Sequence, residues 1–107
     1  MTNNQSRFGY RLNFKDVNER LRPSFESLAK WLCSGGSMRG FEYVALNPTR
    51  KDGSKGSFSI NVKTGKWADF ASGDCGGDII SYCAYVRGMS QLEAAQFLLA
   101  AKEGKGS

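Results

Sequence analysis

The chain has 107 residues, a formal net charge of +5, 40% hydrophobic and 12% aromatic side chains. That is enough apolar material for one domain with a modest core, and too much for an intrinsically disordered segment. The excess of lysine and arginine favours a polyanionic partner, and the absence of histidine removes the commonest general base and the commonest zinc ligand.

Residues 1–13 are polar and carry Arg7 and Arg11, which reads as a loose basic arm. They lack the apolar h-region of a secretory signal peptide. A helical pattern follows in FKDVNERLRPSFESLAKWLCSGG, where Phe25, Leu28 and Leu32 form one apolar stripe. Pro23 suits the first turn of a helix rather than its interior, because it has no N–H and clashes with the preceding turn. Gly35 and Gly36 stop the helix, and Trp31 is expected in or at the edge of the core.

Three short strands come next. FEYVAL (41–46) sets Phe41, Tyr43 and Ala45 against Glu42, and SFSINV (57–62) puts Phe58, Ile60 and Val62 on one face. Between them lies a long turn, NPTRKDGSKG. KTGK (63–66) makes a hairpin turn, and KWADF (66–70) is the third strand, with Trp67 and Asp69 on one face and Ala68 and Phe70 on the other. After a glycine-rich loop, GDIISYCAYVRG reads as a helix with Cys83 on its core side, and Gly88 ends it. Ser90 and Glu93 form a capping box before a last helix, LEAAQFLLAA, with Leu92, Ala95 and Leu99 along one side. The fold class expected is α+β: an N-terminal helix, a small three-stranded antiparallel sheet and two C-terminal helices, all within residues 14–103. Residues 104–107 read as a frayed end or a linker.

Little in this pattern suggests catalysis. Without histidine a nucleophilic triad lacks its usual base. Asp69, Asp74 and Asp78 could hold Mg²⁺ through oxygen ligands, but fit better as turn residues and as a carboxylate at a helix start. Gly76 and Gly77 open a helix without the spacing of either phosphate-binding glycine motif. They read instead as a tight strand-to-helix turn with positive-φ positions. Cys33, Cys75 and Cys83 cannot all pair within one chain, so reduced thiols in a cytoplasmic protein are expected. No apolar run is long enough to span a membrane.

The basic and aromatic residues between 50 and 67 carry more weight. Arg50, Lys51, Lys55, Lys63 and Lys66 can neutralise successive phosphates. Trp67 is either a platform on which a base stacks or a lid on the core.

The order of these pieces resembles the N-terminal zinc-binding domain of bacterial and phage DNA primases. The matching residues are Asn47-Pro48-Thr49-Arg50, Gly56-Ser57-Phe58-Ser59-Ile60, Gly76-Gly77-Asp78-Ile79, and Ser90 through Ala94, spread over residues 41–98. The family's four ligand positions fall on Asn47, Arg50, Phe70 and Gly73, none of which is an ordinary zinc ligand. Cys75 lies two positions past the last of them. The chain therefore resembles a zinc-less variant, of the kind found in primase-like proteins of phages, plasmids and other mobile elements, with no metal and no cofactor expected. In such a variant Phe70 would fill the vacated space with apolar contacts. The resemblance implies a non-catalytic module that engages single-stranded DNA in a primase or replication-initiation system. Arg50, Lys51, Lys55, Lys63 and Lys66 would contact phosphates and Trp67 a base. The alternative is a protein-interaction module that docks a polymerase, a helicase or a primase core. A weaker alternative is an RNA-binding or regulatory domain.

Overall fold

The structure, a computed structural model, describes residues 13–49 and 56–105. Arg50, Lys51 and Lys55, and the basic arm before Asn13, lie outside the described residues.

The N-terminal helical pattern is split in two. Helix α1, Phe14–Leu21, is capped by the Asn13 side chain, which accepts from the Asp16 N–H at 3.2 Å. A 3-10 turn, Arg22–Ser24, follows and holds Pro23, and helix α2 then runs Phe25–Leu32. Proline cannot donate to the turn before it, so the break falls where the missing N–H costs least. Phe25, Leu28 and Leu32 are buried as the stripe requires.

The sheet has five antiparallel strands in sequence order, not three. They are β1 (Ser37–Arg39), β2 (Glu42–Ala45), β3 (Phe58–Asn61), β4 (Trp67–Asp69) and β5 (Cys75–Gly76). The two additional strands are three and two residues long, too short to show an alternating pattern. β1 returns into β2 through a two-residue loop, Gly40 and Phe41, between the paired Arg39 and Glu42. Gly40 takes φ 61° there, as a tight hairpin turn demands. In β5, Gly76 faces Trp67 across the ladder. A Cβ on Gly76 would come within 2.7 Å of the indole ring, so glycine is needed for close approach. The positive φ expected in this loop falls on Gly73, at 88°, rather than on Gly76 or Gly77.

Helices α3 (Ile79–Arg87) and α4 (Gln91–Lys105) close the fold. Asp78 is the N-cap of α3, accepting from the Ser81 N–H at 2.8 Å, and Gly88 ends it in the left-handed region. Ser90 and Glu93 make the reciprocal capping box, at 2.9 and 3.1 Å. The buried side of α4 is Ala94, Ala95 and Leu98, while Leu92, assigned to the apolar side from sequence, is 49% exposed. Trp31 is also surface-exposed at 44%, stacked on Phe97 of α4 at 5.3 Å.

The core lies between the helices and one face of the sheet. Tyr43, Ala45, Phe58, Ile60 and Trp67 are buried there against Ile79, Ile80, Tyr82 and Cys83. Phe58 stacks on Tyr82 with centroids 5.4 Å apart. The Tyr43 hydroxyl donates to the Cys33 carbonyl and accepts from the Gly36 N–H, fastening the end of α2 to β2. Asn18 of α1 accepts from the Ile79 N–H at 3.2 Å.

Burial pushes the Cys83 thiol from its ordinary 9.0 up to about 11, and raises Cys33 and Tyr82 by the same cause. Unfolded, Cys83 releases its proton near pH 9; folded, it holds the proton until about pH 11. Its contribution to stability is therefore complete below pH 9 and is lost as the pH rises to about 11. Thermal melts followed by circular dichroism are expected to show a midpoint that falls across that window. A midpoint that holds or rises through it would contradict the burial of these groups.

Candidate nucleic-acid interface

The two faces of β4 decide where a ligand could bind. Ile60 pairs with Trp67 and Phe58 with Asp69, so Trp67 and Asp69 share the core side of the sheet. Trp67 is only 6% exposed. Its ring contacts Tyr85 at 4.8 Å and Phe58 at 6.0 Å, and its Nε1–H donates to Ser81 Oγ at 2.9 Å. The structure selects the core-lid alternative: a side chain enclosed this way offers no free ring face to a base. Trp67 is thereby corrected from stacking platform to core residue.

Asp69 is 1% exposed and anchors a polar knot at one corner of the sheet. Its Oδ1 accepts from the Ala71 and Ser72 N–H groups at 2.8 and 3.2 Å, and its Oδ2 accepts from Asn47 Nδ2 at 2.7 Å. Asn47 Nδ2 also donates to the Tyr85 hydroxyl at 2.9 Å, and Asn47 Oδ1 accepts from the Thr49 N–H and Oγ1. Tyr85 in turn donates to Asp74 Oδ2 at 2.8 Å. The knot joins the ends of β2 and β4, the turn before β5, and α3. Of the positions that the primase resemblance aligns with ligands, Asn47 is at the centre of this knot and Gly73 sits in its turn. Phe70 points away and is 77% exposed. The expectation that Phe70 packs into this corner is thus corrected: hydrogen bonds tie the corner together, and the Phe70 ring lies exposed on the other face. Among the described residues no group of three or more Cys, Asp or Glu side chains is arranged to hold a metal ion.

Among the described residues no helix packs on the opposite, outer face of the sheet, where Leu46 is 54% and Phe70 77% exposed. Following the register, Arg39, Glu42, Asn61 and Lys66 form one row across it, and Ser37, Val44, Ser59, Ala68 and Cys75 form the next. Leu46, Ser57 and Phe70 make a third row at the end nearest Thr49 and Gly56. Ser59 and Ala68, both small and directly paired, leave a groove of about 420 Å³ bordered by Glu42, Asn61, Thr64, Lys66 and Phe70. From Lys66 to Phe70 the groove extends about 14 Å along the strand.

Of the cations singled out from sequence, Lys66 lines this groove. Lys63 lies at the β3–β4 turn with its ammonium 4.4 Å from the centroid of the exposed Phe41 ring, and its carbonyl accepts from Arg22 Nη1. Sequence reasoning missed that Phe70, Leu46, Glu42, Ser59 and Arg39 share the outer face with Lys66. The signal for Phe70 was present in the alternation that separates it from Trp67.

No protein-family model, curated protein or solved structure matches this chain. No helix among the described residues is long and apolar enough to cross a membrane.

Proposed function

We propose that this chain is a non-catalytic module that binds single-stranded DNA as an accessory to a primase or replication-initiation system of a mobile element. The observation that carries the DNA-binding part is the outer sheet face. There an exposed aromatic ring, Phe70, and an ammonium with no partner among the described residues, Lys66, stand at the two ends of an open groove. Flat rings stack bases and cations follow the phosphates, which is how sequence-tolerant single-strand binders work. The +5 charge supports the same reading, as do Arg50, Lys51 and Lys55 in the sequence between Thr49 and Gly56. The primase association rests on the resemblance over residues 41–98.

Fluorescence anisotropy of a labelled single-stranded oligonucleotide tests it. Phe70→Ala is expected to weaken binding by the value of one stacked base, roughly 1–3 kcal/mol or about 5- to 150-fold, without loss of fold. Lys66→Ala is expected to lower the slope of log affinity against log salt by about 0.7, one phosphate contact. Absence of binding at low salt, or Phe70→Ala binding like the parent, would overturn the proposal.

A protein-docking role is favoured by one separate feature on the helical side, where Trp31 stacks on Phe97 and Arg87 lies 5.0 Å from the Phe97 centroid. A polymerase, helicase or primase core bound there would be insensitive to Phe70→Ala and lost in Trp31→Ala.

A further inference from the structure

The floor and rim of the outer groove hold three polar groups with no partner among the described residues. They are Glu42 Oε1, Ser59 Oγ and Lys66 Nζ; the other Glu42 oxygen accepts from Asn61 Nδ2 at 3.0 Å. Asn61 is itself committed, since its Oδ1 takes the N–H groups of Lys63 and Thr64 at 2.9 and 3.0 Å. The Glu42 carboxylate is therefore held by Asn61 at the groove, with Oε1 unpartnered among the described residues and a second lone pair left on Oε2, so both oxygens can still accept.

A carboxylate only accepts hydrogen bonds. In a face that otherwise favours polyanions, a single acidic group is a cost to phosphate binding unless it meets a donor. Nucleobases differ on this point. Guanine presents two adjacent donors, its N1–H and its exocyclic N2–H, on one edge. Cytosine and adenine present one amino group beside an acceptor, and thymine a single N–H between two carbonyl oxygens that a carboxylate repels.

We infer that the Glu42–Ser59–Lys66 groove selects a guanine in single-stranded DNA, with Glu42 reading its donor edge and Lys66 holding the adjoining phosphate. The inference rests on the single-strand-binding reading above and adds a base preference to it. The small pair Ser59 and Ala68 leaves the space over the sheet in which the ring lies, and Phe70 bounds the other end. Guanine over thymine should be worth one good bidentate contact, in the range of about fivefold to a hundredfold.

The test compares labelled oligothymidylate with the same oligomer carrying one internal guanine, and a third carrying inosine, which lacks the 2-amino group. The parent protein is expected to prefer the guanine oligomer by at least about fivefold, with inosine intermediate. Glu42→Gln keeps an acceptor for Asn61 but places an amide N–H₂ on the carboxylate's other site, so the preference should vanish while salt-sensitive binding to every oligomer remains. Equal binding of all three oligomers by the parent protein, or a preference unchanged in Glu42→Gln, would overturn the guanine inference and leave single-strand binding standing. No binding of any oligomer would overturn both. The inosine comparison uses the parent protein alone, so it decides the matter even if Glu42→Gln is poorly folded.

Discussion

Trp67→Ala is expected to cost the fold about 3–5 kcal/mol, as truncating a large buried aromatic does. Trp67 is 6% exposed and closes an aromatic group with Phe58, Tyr82 and Tyr85 at centroid distances of 6.0, 6.1 and 4.8 Å. Removing it opens a cavity under β4 and strips Ser81 Oγ of a donor at 2.9 Å. It also removes the ring against which Gly76 closes the sheet. Urea denaturation of parent and variant measures the loss directly. A change within about 0.5 kcal/mol, typical of a surface substitution, would return Trp67 to the surface and contradict the packing described here. A loss of DNA binding by this variant would not identify a stacking residue, because the sheet that carries the groove would itself be compromised.

Asn47→Ala is the second large effect, expected to destabilise by about 2–4 kcal/mol. Asn47 is 2% exposed and its amide serves four groups: the Asp69 carboxylate, the Tyr85 hydroxyl, and the N–H and hydroxyl of Thr49. Alanine takes the Asn47 amide donor from a carboxylate buried at 1% exposure, and a buried carboxylate that loses one of its hydrogen bonds costs more than a lost apolar contact. Asp69 keeps the Ala71 and Ser72 N–H groups, so the knot loosens rather than collapses. Denaturant melts of Asn47→Ala beside Phe70→Ala separate the two corners of this region: the first should unfold early and the second should match the parent. If Asn47→Ala were as stable as the parent, the hydrogen-bonded knot would not be what joins β2, β4 and α3.

The contrast between Trp67 and Phe70 shows what the sequence carried and what it did not. The alternation in KWADF already set these two aromatics on opposite faces. The face itself was also accessible: an even number of residues in the turn between Ile60 and Trp67 puts both on one side, and Ile60 belongs with Phe58 in the core. A tryptophan beside lysines equally suits a stacking platform, so local chemistry leaves both alternatives open. Tertiary packing by Tyr82 and Tyr85, which come from α3 far along the chain, settles the matter.

Other features were hidden for physical reasons. β1 and β5 are held by pairing with longer neighbours rather than by side-chain pattern; β5 contributes only Cys75 and Gly76. The helix caps, by contrast, depend on a few adjacent residues, and Ser90 with Glu93 formed as the spacing requires. Asn47 and Asp69 are separated by 22 residues and meet only once the sheet has formed, so neither could be seen as a partner of the other. Glu42 and Lys66 likewise reach one groove through the pairing of β2 with β3 and of β3 with the chain entering β4.

The proposed role requires single-stranded DNA to bind the outer face of the sheet. The most direct measurement is a ¹H–¹⁵N correlation spectrum of the protein titrated with a short single-stranded oligonucleotide at low and at high salt. Shifts confined to Glu42, Ser59, Asn61, Lys66, Ala68 and Phe70, shrinking with salt, are the predicted result. Shifts centred instead on Trp31, Arg87 and Phe97, or no shifts at low salt, would contradict it.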